Sequence, residues 1–295
     1  MRQELKSMFL PRRILEETLL HILVEDLGQG DVTTSATIPE GTVAEASVVA
    51  RESGIAAGIE EATLLLQSLG LQVDASINDG ERIVPKQVLL SISGDARAIL
   101  AVERTLLNIL SRMSGIATNT RKLIERLRKA KLKTRVACTR KTAPGLMYFD
   151  KKAVLIGGGD THRLHLDDMI LIKNNHIALV GSVEKAVERA KKQVSLSKKI
   201  EVEVTRIEDV LKAVEAGADI VMFDNFSPKL VETAVGLLKK AKLYGKVLLE
   251  ASGGITAENI VEFASTGVDL VSLGEVTQSP KALNVSLEVT KTRRN

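Results

Sequence analysis

Ile200-Glu201-Val202-Glu203-Val204 is followed by an amphipathic run, Ile207–Ala216, and then by Ile220-Val221-Met222-Phe223-Asp224-Asn225. The first and last segments have strand length and are rich in β-branched residues. The middle one carries apolar residues at helical spacing. Two strands joined by a helix run parallel, because the helix carries the chain back to the starting edge. The same grammar extends both ways. The apolar runs Arg135–Thr139, Met169–Asn174, Val247–Ser252 and Leu270–Gly274 alternate with helices at Ser182–Gln193, Pro228–Lys242 and Thr256–Thr266. Most runs are apolar on both faces, as expected of strands enclosed by helices. Their C-terminal ends are polar: Thr139, Lys173-Asn174, Glu203, Asp224-Asn225, Ser252-Gly253-Gly254 and Gly274-Glu275. The fold class is therefore α/β with parallel strands, and in a βα barrel these ends meet on the face where active sites are built. The six runs are two short of a standard eight-stranded barrel.

Before residue 116 the pattern differs. Met1–Leu10 reads as a loose start, and Pro11 opens a helix carrying Leu15, Leu19, Ile22 and Leu23 on one face. Glu25–Asp31 reads as a capped glycine turn into Val32-Thr33-Thr34. Thr42–Arg51 is a strand, and Ile59–Leu69 a helix ended by Gly70. Leu71–Ile77 and Arg82–Ile92 are strands joined at Asn78-Asp79-Gly80. A long helix with Ile99, Val102, Leu106, Ile109, Leu110 and Met113 on one stripe then ends near Gly115, with Arg104 off the stripe. The tail Leu283–Thr290 alternates apolar and polar residues, so it is a half-exposed strand expected to return to the first sheet. The expected division is an α/β domain over 1–115, completed by 276–295, and a barrel domain over 116–275.

The chain has 295 residues, 44% hydrophobic and 26% charged, the balance of a globular protein. No apolar run approaches the roughly 20 residues of a membrane span. The N-terminus lacks the apolar core of a signal peptide. One cysteine, Cys138, excludes an internal disulfide, which fits a reducing cytoplasm. The net charge of +4 is spread among interspersed acids, and aromatics are only 2%, so nucleic acid is not the expected partner.

Three segments concentrate cations beside glycine turns and strand ends: Thr139-Arg140-Lys141-Thr142-Ala143-Pro144-Gly145, Gly157-Gly158-Gly159-Asp160-Thr161-His162-Arg163, and Leu171-Ile172-Lys173-Asn174-Asn175-His176. Each cation alone is ordinary surface, but together they form a receptor for a multiply charged anion. Ser252-Gly253-Gly254-Ile255-Thr256, between a strand and a helix, is the expected place for a phosphate, with Gly274 as the other lip. Glu203 and Asp224 end neighbouring strands and suit Mg²⁺ or sugar hydroxyls. His162, His165 and His176 could propose a transition-metal site, but no cysteine accompanies them and strong cations surround them.

These segments resemble the signature of the quinolinate phosphoribosyltransferase family. Glu25-Asp26-Leu27-Gly28…Gly30-Asp31, Glu103-Arg104-Thr105-Leu106-Leu107-Asn108, Glu201-Val202-Glu203-Val204, Asp224-Asn225-Phe226 and Glu250-Ala251-Ser252-Gly253-Gly254-Ile255 extend the resemblance along nearly the whole chain. It implies an open-faced α/β sandwich plus an incomplete, irregular α/β barrel of about seven strands. It implies transfer of the phosphoribosyl group of 5-phosphoribosyl 1-pyrophosphate to quinolinate with decarboxylation, giving nicotinate mononucleotide, pyrophosphate and CO₂. In that reading Arg104, Arg140, His162, Arg163 and Lys173 surround the dicarboxylate, with Thr139 beside them, and Lys141 helps hold pyrophosphate. Glu203 and Asp224 hold ribose hydroxyls and Mg²⁺, while Ser252, Gly253, Gly254 and Gly274 take the 5-phosphate. Lys141, Glu203 and Asp224 are the catalytic candidates. The family pattern has Arg104 complete a neighbouring subunit's site, which implies a homodimer, or a hexamer built from dimers. His165 stands where the family usually has glycine, and Asn174 where it has Asp. Two alternatives remain at this point: a phosphoribosyltransferase for another base, and a non-catalytic anion binder.

Overall fold

The structure is a computed structural model that describes residues 10–294. The loose start expected for Met1–Leu10 lies, apart from Leu10, outside the described residues. The chain divides into two compact units: Met1–Arg121 with Tyr148–Gly158 and Ser279–Asn295, and Lys122–Met147 with Gly159–Gln278.

The first unit contains α1 (Arg12–Leu27), α2 (Val32–Thr37), β1 (Thr42–Ala50), β2 (Gly54–Ile55), α3 (Ile59–Ser68), β3 (Gln72–Ala75), β4 (Arg82–Ile83), β5 (Val88–Asp95) and the part of α4 (Ala96–Lys129) up to Arg121. It also takes in α5 (Met147–Gly157) and the final strand β12 (Val285–Arg294). Its main sheet has the order β12-β1-β5-β3 and is antiparallel throughout. The alternation seen in the tail is what seats β12 beside β1, with Val48 opposite Leu287 and Ala50 opposite Val285. Leu15, Leu19 and Leu23 form the buried face of α1 at four-residue spacing.

Two expectations, for Arg82–Ile92 and for the end of the long helix, need correction, and one stretch left open, Val32-Thr33-Thr34, is resolved. Arg82–Ile92 is not one strand: Pro85 has no N–H to give a ladder, and Lys86 turns the chain at φ 69. β4 therefore pairs with β2, while β5 pairs with β1 and β3. Val32-Thr33-Thr34 opens a short helix, because the Asp31 carboxylate accepts the Thr34 N–H at 2.9 Å and caps it. The long helix does not stop at Gly115. A Cβ there would strike the Lys281 carbonyl, so this glycine admits the returning tail against α4. Gly157 plays the same part, since its Cβ would meet Ala117 O at 2.7 Å.

Helix α5 is absent from the sequence reading because Asp150-Lys151-Lys152 looks like a solvated face, yet all three side chains are buried. Arg112 grips Asp150 with two hydrogen bonds of 2.7 and 2.9 Å, and Lys152 donates to Glu60 at 2.6 Å and Glu61 at 2.5 Å. Buried charges persist only with such partners, and removing one partner of a buried pair costs about 3–5 kcal/mol.

The second unit is the α/β barrel. Its strands are β6 (Arg135–Cys138), β7 (Ile170–Ile172), β8 (Ile200–Val204), β9 (Ile220–Asp224), β10 (Leu248–Ser252) and β11 (Leu270–Leu273), all parallel, in the order β6-β11-β10-β9-β8-β7. The helices are α6 (Asn174–Val180), α7 (Val183–Gln193), α8 (Glu208–Glu215), α9 (Pro228–Lys240), α10 (Ile260–Ser265) and α11 (Glu275–Gln278). On α9, Ser227 caps the first turn and Pro228 follows at its start. Val231, Ala234, Val235 and Leu238 are its buried face, at the i, i+3, i+4, i+7 spacing of a helix lying on a sheet.

A seventh strand position is held by one residue. Asp160 forms an isolated parallel bridge with Ala137 beside β6. Among the described residues no ladder joins Asp160 to β7, so residues 161–169 cross the remaining gap and the barrel is incomplete. The inner face is more polar than the apolar runs suggest. On β8, Val202 and Val204 face outward, while Glu201 and Glu203 alternate with them, and every residue of that strand is buried.

Candidate active site

The C-terminal ends of the barrel strands enclose a cavity of about 510 Å³. Thr139, Arg140, Lys141, His162, Arg163, Lys173, Glu203, Asp224, Ser252, Gly253, Gly254 and Gly274 all line it. Arg104 lies in the first unit, exposed on α4, and is not among the lining residues. The Gly157-Gly158-Gly159 turn, quoted above beside the cations, does not line the cavity either.

Each cation is held by the backbone it grows from. Thr139 Oγ1 accepts the Lys141 N–H at 3.2 Å, and Thr277 donates to the Lys141 carbonyl at 2.9 Å. Gly274 leaves room for the Lys141 stem, which would lie 3.0 Å from a Cβ there. Lys173 follows β7 and pairs with Glu203 at 2.7 Å. Its N–H donates to His176 Nδ1 at 2.9 Å, so His176 caps α6. His165 is exposed, and its N–H is held by Asp168 at 3.0 Å. The three histidines therefore do not converge on a metal.

His162 instead meets two acids. Its Nε2 lies between Glu201 Oε2 at 3.1 Å and Glu250 Oε2 at 3.3 Å, and both carboxylates are fully buried. Its Nδ1 accepts the Arg163 N–H at 2.8 Å. A ring nitrogen that accepts carries no hydrogen, so the ring's own proton is on Nε2, which lies at ion-pair distance from both acids without a well-aligned hydrogen bond to either. Metal ligation through Nε2 would require the hydrogen on Nδ1, against the Arg163 N–H. Burial alone would lower the His162 pKa, but Glu201 and Glu250 outweigh it and push it up to about 10. Burial, followed by the charge of Glu250, raises Glu201. The extra proton of this cluster therefore belongs to the group as a whole and not to one residue.

Burial and the neighbouring Arg140 lower the Arg163 pKa, while Glu201 and Asp168 oppose them. The guanidinium remains charged. Asp224 is raised by burial and by the like charge of Glu203, and lowered by Asn225, Lys173 and Lys141. On the opposite lip, Gly253 and Gly254 are both left-handed, at φ 88 and 63. Successive turns of this kind direct backbone N–H groups into a concavity suited to an anion. The helix expected to begin at Thr256 starts at Ile260, because Asn259 accepts the Thr256 N–H at 2.8 Å and makes a turn first. The glycine turn, and not a helix N-terminus, forms this lip.

The sequence reading assigned no role to Glu201, Glu250, Asn225, Thr277 or Gln278. The period-two alternation of Ile200–Val204 places Glu201 on the same face as Glu203 and was the available signal for it. The rest depend on loop geometry.

The chain matches the description "Quinolinate phosphoribosyl transferase, N-terminal domain" over residues 31–114 and "C-terminal domain" of the same family over 116–288. A probable nicotinate-nucleotide pyrophosphorylase [carboxylating] of Methanothermobacter thermautotrophicus is 46% identical over 264 residues, covering 90% of this chain and 95% of that one. The nicotinate-nucleotide pyrophosphorylase [carboxylating] of Rattus norvegicus is 37% identical, covering 83% and 82%. The solved nicotinate-nucleotide pyrophosphorylase of Francisella tularensis superposes with a TM-score of 0.87 at 37% identity, covering 98% of this chain and all of that one. Spanning both domain types and nearly the full length of such relatives, this chain belongs to the quinolinate phosphoribosyltransferase family.

Proposed function

We propose that the chain is a carboxylating nicotinate-nucleotide pyrophosphorylase that joins quinolinate to 5-phosphoribosyl 1-pyrophosphate, a step of NAD biosynthesis. The observation that carries this is the convergence of Arg140, Lys141, Arg163 and Lys173 on one cavity whose far lip is a glycine turn. Four cations match two substrates that are both multiply charged anions.

The two carboxylates of quinolinate sit among Arg140, Arg163, His162 and Lys173, with Thr139 at the strand end. Lys141 holds the pyrophosphate, and Ser252, Gly253, Gly254 and Gly274 receive the 5-phosphate. Glu203 and Asp224 hold the ribose hydroxyls. These fixed charges orient the ring nitrogen toward the anomeric carbon. The C–N bond forms as pyrophosphate leaves with its electron pair. The bond to the adjacent carboxylate then breaks, releasing CO₂ and leaving the electron pair on a ring carbon beside the cationic nitrogen, where a proton replaces it.

Glu203 and Asp224 also fit Mg²⁺. They are two oxygen donors at adjacent strand ends, and the like charge of Glu203 raises Asp224, a repulsion that a hard cation relieves. Held there, Mg²⁺ would supply positive charge that stabilises the departing pyrophosphate.

Arg104 completes the site of a neighbouring copy, so the working form is a homodimer, or a hexamer built from dimers. The domain division by sequence grammar is 1–115 with 276–295, and 116–275; the compact units differ from it in giving 116–121 and Tyr148–Gly158 to the first. No helix among the described residues is long and apolar enough to cross a membrane. The single buried thiol of Cys138 fits a cytoplasmic protein. Incubation with both substrates and Mg²⁺ should yield nicotinate mononucleotide and CO₂ in equal amounts. Absence of CO₂ would refute the assignment.

A further inference from the structure

We propose that Glu201 and Glu250 are positioning residues for the substrate carboxylates: together they hold the His162 ring, and through it the left-handed turn that aims Arg163. The proposal rests on the reading of Arg163 as a quinolinate ligand.

Arg163 belongs to the segment that crosses the gap in the barrel, where no ladder fixes the backbone. Local hydrogen bonds hold its ends. Asp160 Oδ1 accepts the His162 N–H at 2.8 Å, and Asp168 accepts the Leu164 N–H at 2.5 Å. Between them His162 has φ 53, a conformation that strains a non-glycine residue and persists only when its surroundings impose it. The surroundings here are the two acids. Glu201 comes from β8 and Glu250 from β10, with β9 between them. Both carboxylates are fully buried, and each lies at ion-pair distance from His162 Nε2, so their charge bears on the ring from two strands.

The ring then fixes Arg163, because its Nδ1 accepts that residue's N–H at 2.8 Å. This bond requires one tautomer. Acids at Nε2 enforce it, since an acceptor there demands hydrogen on Nε2 and leaves Nδ1 bare. An amide in place of either acid can donate to Nε2, which moves the hydrogen to Nδ1 and opposes the Arg163 N–H. Glu201 has a second effect on the same residue: its charge supports the Arg163 guanidinium against the adjacent Arg140. Neither acid needs to touch the substrate.

The test uses the full chain and isosteric variants Glu201→Gln and Glu250→Gln. Each should raise the KM for quinolinate about 10–100-fold, as expected when a binding group is misplaced by an ångström, and leave the KM for 5-phosphoribosyl 1-pyrophosphate unchanged. Glu250→Gln added to Arg163→Lys should cost less than it does alone, because its effect passes through Arg163. Nitrogen-15 spectra of the four imidazoles should show a mostly buried one, distinct from the exposed His176 whose Nδ1 accepts the Lys173 N–H, locked with hydrogen on Nε2. That signal should vanish in His162→Gln and lose its fixed tautomer in Glu250→Gln. An unchanged quinolinate KM, an equal rise in both KM values, full additivity with Arg163→Lys, or an unaltered His162 tautomer would overturn the proposal. If the wild-type chain does not turn over quinolinate, the functional reading fails first. The imidazole spectra still decide whether the acids hold the ring.

Discussion

Gly253→Ala separates a steric demand from a conformational one, with Gly254→Ala as its control. Both residues are left-handed, at φ 88 and 63, so each alanine incurs a backbone cost of roughly 1–2 kcal/mol. Around Gly254 an added Cβ meets nothing within 4 Å. At Gly253 it would strike Asn225 Oδ1 and lie 2.7 Å from Cγ and 2.9 Å from the backbone nitrogen. Asn225 cannot yield easily: its N–H donates to the Ser252 carbonyl at 2.9 Å, its amide donates to Asp224 at 3.0 Å, and its φ is 57. Overpacking of this kind costs about 1–3 kcal/mol, which at about 2–4 °C per kcal/mol places the melting point of Gly253→Ala roughly 2–12 °C below that of Gly254→Ala. The displaced groups adjoin both the phosphate lip and Asp224, so the KM for 5-phosphoribosyl 1-pyrophosphate should rise while that for quinolinate changes little. Calorimetry and initial rates measure both effects. Equal melting points and an unaltered KM would refute the close approach of Gly253 to Asn225.

Other perturbations test the remaining assignments. Glu203→Ala and Asp224→Ala should raise the KM for 5-phosphoribosyl 1-pyrophosphate and shift the Mg²⁺ dependence with the melting point retained; normal kinetics in both would remove the ribose and Mg²⁺ roles. Mixing inactive Arg104→Ala and Lys141→Ala chains should restore activity through hybrid sites once subunit exchange is confirmed, and no restoration would exclude a shared site. Lys152→Met leaves Glu61 buried without its cation, so a loss of about 3–5 kcal/mol by denaturant unfolding is expected. The raised pKa of His162 means that the folded chain binds more protons than the unfolded one above the ordinary histidine value of about 6.5. Its contribution is complete below that pH and disappears as pH rises toward about 10. Melting temperature should therefore fall across that window, and His162→Gln should flatten the slope.

How much of this was legible in the sequence depended on how local the cause was. The six barrel strands follow from short apolar runs between amphipathic helices, and their polar ends together with the neighbouring cationic segments named twelve residues that line the cavity. The tail strand followed from period-two alternation alone. What failed was non-local. Gly115 looks like a helix stop, but it is small because the returning tail passes over it. Asp150-Lys151-Lys152 looks solvated, but partners as distant in sequence as Glu60, Glu61 and Arg112 bury it. Glu201 and Glu250 look like ordinary acids until the strand order brings them to one imidazole.

The central claim is that the cavity is built for a dicarboxylate, and the comparison of kcat/KM for quinolinate and nicotinate tests it most directly. Nicotinate has one carboxylate and would leave part of the cluster of Arg140, Arg163 and Lys173 unmatched. Hydrogen bonds to charged groups are worth roughly 1.5–3 kcal/mol each, and a site built around a polar group rejects an analogue lacking it by on the order of 10⁴-fold. The account predicts quinolinate turnover with one CO₂ per nucleotide and nicotinate turnover lower by about that factor. Comparable values for the two acids would contradict it.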